Sequence, residues 1–260
     1  MAKYSLGIDC GSTPVKGVLF DGEKVVDSRL VATSARPALR MHEVYEKLWN
    51  EDVGYVVTTG YGRELLPEAN KKVTEITCHA KGAHFLGGSV GGVIDIGGQD
   101  SKAILLDKDG NVADFLMNDK CAAGTGRFLD VMARVLEVKV SEMEELGMQS
   151  TKEAEISPTC TVFAESAVIS ALAQGTDKRD IINGIHKSIA SRVSGLARRI
   201  GVRDDVVMTG GVAQNGAIVA ALEEQLGHPI LTSPLTQYNG ALGAALYAYE
   251  KALRNAKTAK

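Results

Sequence analysis

The sequence predicts an α/β protein made of two similar halves, and three observations carry that expectation. Residues 7–20 and 93–106 each read as an apolar strand, Asp-x-Gly, four variable residues, a lysine and a second apolar strand. Asp9, Gly11 and Lys16 therefore align with Asp95, Gly97 and Lys102 without a gap. A third glycine cluster, Thr209-Gly210-Gly211-Val212-Ala213-Gln214-Asn215, joins a short strand over 206–208 to a helical run over 216–226. Strand patterns alternate with helical stripes along the remainder of the chain.

Taken in order, strands are expected at 4–10, 15–20 and 24–31, then a helix over about 41–50 and a strand at 54–59. A loop with Gly60-Tyr61-Gly62-Arg63 leads to a helix around 74–84. Gly87-Gly88 and Gly91-Gly92 read as a flexible junction, which divides the chain into 1–88 and 89–260, the last helix packing back on the first lobe. The second half repeats two strands and adds a third at 112–116. A helix opening at Gly124 carries Phe128, Leu129, Met132, Val135 and Leu136 as a core stripe. In Ser141-Glu142-Met143-Glu144-Glu145, serine reads as an N-cap with acids in the first helical turn. A long helix from Lys178 to Ile200 turns Ile181, Ile182, Ile185, Ile189, Val193 and Leu196 inward, and its basic residues read as a solvated face. His186 lies on it without a partner evident in sequence. Asn239–Leu246 starts a last helix whose small residues allow close packing, and the tail after Leu253 is expected to fray.

At 260 residues, 45% hydrophobic and 23% charged, the chain has the composition of an ordinary globular protein with sizeable cores. A net charge of −3 argues against a broad nucleic-acid surface. No apolar run approaches the roughly 20 residues that span a bilayer. The N-terminus passes directly into a strand pattern without the marks of a secretion signal. Four cysteines at long, unequal spacings do not resemble a secreted disulfide framework, so a cytoplasmic protein is expected.

Two strands joined by a glycine-bearing turn form a β-hairpin. Small residues at its tip let backbone N–H groups approach a phosphate, and an aspartate at the strand end can hold Mg²⁺ through water. One such hairpin is weak evidence; two at matched spacing suggest halves that face each other across a nucleotide. The strand–Gly-Gly–helix join at 206–216 suits the base, ribose or phosphate of the same ligand. There is no Gly-x-x-x-x-Gly-Lys-Ser/Thr, which excludes a P-loop, and no strand followed by Gly-x-Gly-x-x-Gly, which argues against a dinucleotide fold.

Two cysteines stand out. Cys121 precedes the glycine-rich turn Gly124-Thr125-Gly126, and Cys160 opens Thr161-Val162-Phe163-Ala164-Glu165-Ser166, each at the mouth of a helix. Both could ligate a metal. A cubane iron–sulfur cluster wants four thiolates, and two chains giving two each would satisfy it. Cys10 and Cys78 read as small buried hydrophobes, and His79, beside Cys78, as structural.

The three glycine motifs resemble the two phosphate motifs and the adenosine motif of the actin, Hsp70 and sugar-kinase superfamily, a duplicated ribonuclease H-like fold with two lobes around a nucleotide cleft. The segments 118–128 and 160–166 narrow the likeness. They resemble the activator components of 2-hydroxyacyl-CoA dehydratases, ATP-dependent electron donors of the BadF/BadG/BcrA/BcrD type, over nearly the whole chain from Gly7 to Tyr249.

That resemblance implies a homodimer with one [4Fe-4S] cluster between its subunits, ligated by Cys121 and Cys160 of each. It implies ATP, ADP and Mg²⁺ at a site with Asp9, Gly11, Ser12, Thr13, Pro14, Val15 and Lys16 in the first phosphate loop. Asp95, Gly97, Gly98 and Gln99 fall in the second, and Gly210, Gly211 and Gln214 on the adenosine side. Mg²⁺ would sit between Asp9 and Asp95, and one of these carboxylates, or Gln99, would orient the attacking water. A ferredoxin or flavodoxin would supply the electron, and a 2-hydroxyacyl-CoA dehydratase or related double-cluster protein would accept it. Pro158 and Ala167 stand where serine and glutamate are usual, and Pro14 where a small residue is common, departures that bear on partner choice. The competing reading is a small-molecule kinase of the same fold, with Asp100 as its catalytic carboxylate; it leaves both helix-mouth cysteines unexplained. A filament-forming or chaperone-like ATPase would need insertions for which the chain is too short.

Overall fold

The computed structural model describes residues 3–152, 154–156, 160–202 and 204–258. The polypeptide divides into two compact units: Met1–Ser89 with Lys108–Val112 and Ser233–Lys260, and Val90–Asp107 with Ala113–Thr232. Each is built on a five-stranded mixed sheet.

The first unit opens with β1 (Tyr4–Cys10), β2 (Pro14–Phe20) and β3 (Val25–Ala32), followed by α1 (Pro37–Leu48), β4 (Val53–Gly60), β5 (Lys71–Lys72) and α2 (Glu75–Gly87). Its sheet order is β3-β2-β1-β4-β5. β1 is antiparallel to β2 and parallel to β4, so it lies inside the sheet, and its apolar run is buried from Ser5 to Cys10. α1 begins at Pro37, four residues before the apolar periodicity does, because the fixed φ of proline suits the first helical position, where no N–H is needed.

The C-terminal helix α8, Asn239–Thr258, belongs to this unit. Its small residues permit backbone-to-backbone packing: Cβ atoms at Gly7 and Gly243 would collide with the carbonyl oxygens of Ala241 and Cys78. Ser5 Oγ donates to the Ala245 carbonyl at 2.8 Å, and Phe20 meets Phe85 and Tyr249 edge to face. The expected fraying after Leu253 does not occur up to Thr258, because α8 continues and Thr258 Oγ1 caps the Arg254 and Asn255 carbonyls.

The second unit repeats the plan with β6 (Gly92–Ile96), β7 (Ser101–Leu106) and β8 (Val112–Asn118). α3 (Gly126–Leu136), α4 (Met143–Met148), α5 (Thr161–Ala173) and α6 (Lys178–Arg199) come next, then β9 (Val206–Thr209), α7 (Gly216–Leu226) and β10 (Ile230–Leu231). The sheet order is β10-β9-β6-β7-β8, with β6 antiparallel to β7 and parallel to β9. The expected stripe of α3 packs as core, with Phe128, Leu129, Met132 and Leu136 buried against Ile181, Ile185 and Ile189 of α6. Ser141 is not the cap expected of it. A 3₁₀ turn over Val140–Glu142 precedes α4, and the Glu142 carboxylate accepts from the Lys139 N–H at 2.7 Å. Glu144 and Glu145 do occupy the first turn of α4. The two-residue strands β5 and β10 are too short to leave a period in the sequence.

Candidate functional site

The two hairpins have the same construction. In the first, Asp9 and Lys16 are cross-strand partners, and Lys16 Nζ lies 2.8 Å from Asp9 Oδ2. In the second, Asp95 and Lys102 are partners, and Lys102 Nζ lies 3.2 Å from Asp95 Oδ2. The turns close alike, with Gly11 N–H donating to Pro14 O at 3.1 Å and Gly97 N–H to Asp100 O at 2.9 Å. Glycine is required by close approach: a Cβ would sit 3.0 Å from Pro14 O in one and 2.6 Å from Asp100 Oδ1 in the other. Ser12, Thr13, Gly98 and Gln99 line the tips at half-buried or exposed positions, whereas the Val15 side chain is buried in the core of the first unit.

The hairpins differ in charge, burial and bracing. Lys102 is buried and also meets Asp100 Oδ1 at 2.9 Å, so two carboxylates share its ammonium. Asp100, which a kinase reading requires as a catalytic base, is thereby buried and engaged. Asp95 Oδ1 further accepts from Thr209 Oγ1 at 2.8 Å, tying β6 to the head of the third glycine cluster. Asp9 keeps one carboxylate oxygen, Oδ1, buried and without a hydrogen-bond partner among the described residues. A buried carboxylate oxygen left open in this way is a ligand that a hydrated divalent cation can take up. The first tip is braced from its own sheet: Thr33, just past β3, donates from its N–H to Thr13 O and from Oγ1 to Gly11 O. The second tip is braced by α3. Gly126 N–H donates to Gly97 O at 2.9 Å and Arg127 N–H to Gly98 O at 2.8 Å.

The third cluster forms a tight join. Gly210 has φ of +88°, and a Cβ there would collide with the Ile96 carbonyl. Gly211–Gln214 make a 3₁₀ turn, and Asn215 caps α7 by accepting from Ile218 N–H at 3.1 Å. Gly211 and Gln214 are exposed on it.

Cys121 and Cys160 are half-buried thiols, neither of them in a disulfide. Cys160 holds the N-cap of α5, and its carbonyl accepts the Ala164 N–H. Cys121 stands four residues before Thr125, the N-cap of α3, so the two placements are not equivalent. Its loop is ordered by Asn118, whose Nδ2 reaches the carbonyls of Cys121 and Ala123, and by Thr125 Oγ1 on the Ala122 carbonyl. Gly124 turns this loop at φ +84° against the aliphatic stem of Arg192. α5 is rich in apolar residues yet buries only Ala164 and Val168 among its residues, leaving Val162, Phe163 and Ile169 exposed. Of the departures noted in sequence, Ala167 is half-buried on α5, and Pro158 with Thr159 lies outside the described residues.

The other cysteines behave as packing. Burial pushes the Cys10 thiol up to about 11 and the Cys78 thiol to about 12. His186, unpartnered in sequence, is buried against Gly147 with Asn215 Nδ2 at 3.5 Å from its Nε2, and desolvation lowers it to about 4. Lys102, Thr209 and Asn118 carry much of the site's order but were not singled out in sequence as site residues. The matched spacing of Lys102 with Lys16 was the available signal for the first; a single Thr or Asn offered none. No described helix is long and apolar enough to cross a membrane.

A family profile described as the BadF/BadG/BcrA/BcrD ATPase family matches residues 6–248. The (R)-2-hydroxyglutaryl-CoA dehydratase activating ATPase of Acidaminococcus fermentans is 58% identical over 261 residues, covering 98% of this chain and all of that one. Among solved structures, the activator of the 2-hydroxyisocaproyl-CoA dehydratase from Clostridium difficile with bound ADPNP superposes with a TM-score of 0.93 at 48% identity, over 99% of this chain and 98% of that one. A ROK family glucokinase from Streptomyces griseus superposes at 0.62 with 13% identity, covering 95% of this chain and 99% of that one, a likeness of fold alone.

Proposed function

Because the chain belongs to the BadF/BadG/BcrA/BcrD ATPase family, and so is an ATP-binding ATPase, we propose that it is the ATP-driven one-electron donor that activates a 2-hydroxyacyl-CoA dehydratase or a related double-cluster iron–sulfur reductase. The observation that carries this reading is the pair of hydrogen bonds from the head of α3 to Gly97 and Gly98. The loop that bears Cys121 ends on a helix whose first N–H groups are spent on the tip of a phosphate hairpin. Those groups have no partner within the helix itself. A displacement of the tip by nucleotide is therefore passed to the cysteine loop without an intervening side chain. Named activators among the relatives favour a dehydratase as the acceptor.

The residues fit the groups this function requires. Two half-buried thiols per chain are the soft donors that an iron–sulfur cluster takes, and two copies of the chain supply the four it needs. The exposed Val162, Phe163 and Ile169 on the helix that starts at Cys160 are the apolar surface a second copy would cover, which supports a homodimer. When bound between Cys121 and Cys160 of each subunit, a [4Fe-4S] cluster supplies a low-potential one-electron carrier. Asp9, with its open Oδ1, is the ligand we assign to water-bound Mg²⁺, which screens phosphate charge. Asp95, held from two sides, keeps the second tip in register for the phosphates, while Gln99, exposed beside it, is free to reach a water. Gly210, Gly211 and Gln214 form the surface assigned to the adenosine. A ferredoxin or flavodoxin is the proposed electron source, in the cytoplasm.

The test is iron and sulfide per dimer in anaerobically purified protein, beside Cys121→Ser. About four irons per dimer, lost in the variant, are expected. Wild-type protein that stays free of iron after anaerobic reconstitution while hydrolysing ATP would overturn the electron-donor reading.

A further inference from the structure

The join assigned to the adenosine has a carboxylate beside it that the assignment does not use. Gly216 is the first residue of α7, directly after the 3₁₀ turn over Gly211–Gln214 and the Asn215 cap. Glycine is a poor helix former, and Gly216 does not take a positive φ, so neither propensity nor backbone freedom asks for it there. Space does. A Cβ at Gly216 would lie 2.7 Å from Glu144 Oε1 and 3.6 Å from Met148 Cε.

Both neighbours belong to α4. Four residues apart, Glu144 and Met148 share one face of that helix. Its other side is fixed. Met143 is buried in the core, and Gly147 packs so closely on α6 that a Cβ would lie 2.7 Å from His186 Nδ1. α4 is thus held against α6 and presents a carboxylate and a thioether methyl to the opening of α7. Glu144 is half-buried, and its carboxylate makes no hydrogen bond or ion pair among the described residues. Met148 is 61% exposed. An ionised carboxylate only accepts, so Glu144 offers two oxygens to a donor that settles beside the join.

Of the parts of a nucleotide, the sugar fits that offer. Phosphates repel a carboxylate and call for N–H donors, which the hairpin tips supply. The amino group of adenine is flanked by ring nitrogens that also accept. A ribose presents two adjacent hydroxyls, each a donor, and a carboxylate is the group that holds ribose hydroxyls in dinucleotide sites.

We propose that Glu144 sets the sugar specificity of the nucleotide site, its carboxylate accepting from the ribose hydroxyls of a nucleotide seated on the join over 209–215. Gly216 is glycine because a side chain there would crowd the carboxylate, and Met148 adds an apolar flank. The inference rests on the assignment of the join to the adenosine and deepens it with a residue from a separate helix. A carboxylate at the mouth of a helix also complements its positive end, a role that needs no ligand. The two roles differ in what the nucleotide feels.

Calorimetric titration of the purified protein with ADP, 2′-deoxy-ADP and 3′-deoxy-ADP separates them. The wild type should bind ADP at least about tenfold more tightly than one or both deoxy analogues. In Glu144→Ala that ratio should fall to within about twofold of one, because ADP binds more weakly while the Kd of the disfavoured analogue stays within about threefold of wild type. Glu144→Gln keeps an acceptor oxygen and should retain a ratio of at least about threefold. A wild type indifferent to the missing hydroxyls, a ratio unchanged in Glu144→Ala, or a loss of affinity shared equally by all three nucleotides would each overturn the proposal. The last, joined to a lowered melting temperature, is what a helix-supporting carboxylate would give. Wild-type protein that binds none of the three would overturn the nucleotide reading of the join, and the proposal with it. Protein that discriminates as expected but takes up no iron would count against the electron-donor reading alone.

Discussion

The two phosphate hairpins are near-copies in register and differ in what surrounds them. In the first, buried Asp9 faces Lys16, whose side chain solvent partly reaches, and the tip is braced by Thr33 from the same sheet. In the second, two carboxylates share one buried lysine, Thr209 adds a third tie, and the tip is braced by the helix that follows the Cys121 loop. The first is arranged to offer an open oxygen beside a lysine that solvent partly reaches. The second is arranged to stay rigid and to pass displacement on. A duplicated motif has thus kept its backbone and divided its chemistry between a responsive copy and a transmitting copy.

The largest effect that separates them is on stability. Lys102→Met leaves Asp95 and Asp100 buried without their cation, and removing one partner of a buried pair typically costs roughly 3–5 kcal/mol. The melting temperature should fall by on the order of 10 °C for units of this size. Lys16→Met uncovers one buried carboxylate, Asp9, rather than two, so it should destabilise less than Lys102→Met while removing most ATP hydrolysis. Equal destabilisation by the two substitutions, read by calorimetry, would erase the distinction between the hairpins.

The second effect is a pH dependence confined to one unit. Desolvation holds the buried His186 imidazole neutral, lowering it from 6.5 to about 4. Between those values the unfolded chain binds the proton and the folded chain does not. Its contribution is therefore complete above pH 6.5 and is lost as pH falls toward 4, to a total of about 3 kcal/mol. Acid should weaken the second unit first. His186→Gln should remove that drop, and calorimetric scans from pH 7 to about 4 would show it. An unchanged acid limb in the variant would locate the loss elsewhere.

The legible parts of this molecule are those written in repeated or periodic patterns. β1, β4 and β6 are apolar runs between turn residues, and the Asp–Lys spacing of both hairpins survives as cross-strand pairing. The start of α1 at Pro37 and the run of α8 to Thr258 depart from the sequence reading because helix ends follow caps and tertiary packing more than periodicity. The bracing of the second tip could not be read at all. It uses backbone N–H groups of Gly126 and Arg127, and main-chain donors look the same whatever the residue. The capture of Lys102 by Asp100 as well as Asp95 depends on a turn that brings position 100 back over 102, which spacing alone does not disclose.

The smallest expected effect bears most directly on transmission. A Cβ on Gly126 would stand 3.3 Å from Gly97 O and 3.4 Å from Gly98 Cα, close enough to push α3 off the hairpin tip by a few tenths of an ångström. Alanine is the better helix former, so folding should be nearly unaffected. Gly126→Ala should then bind ATP within about threefold of wild type, yet lose the nucleotide-dependent change at the cysteine loop. In iron-free protein that change is readable as the alkylation rate of Cys121 with and without a Mg²⁺-bound ATP analogue. A coupling of about 1.4 kcal/mol corresponds to a tenfold ratio, which the variant should reduce to about one. Gly11→Ala, crowding Pro14 O and Lys16 in the first hairpin, should instead weaken nucleotide binding itself. If Gly126→Ala kept the full ratio, the cysteine loop would be taking its signal by another route, and the two hairpins would differ in rigidity alone.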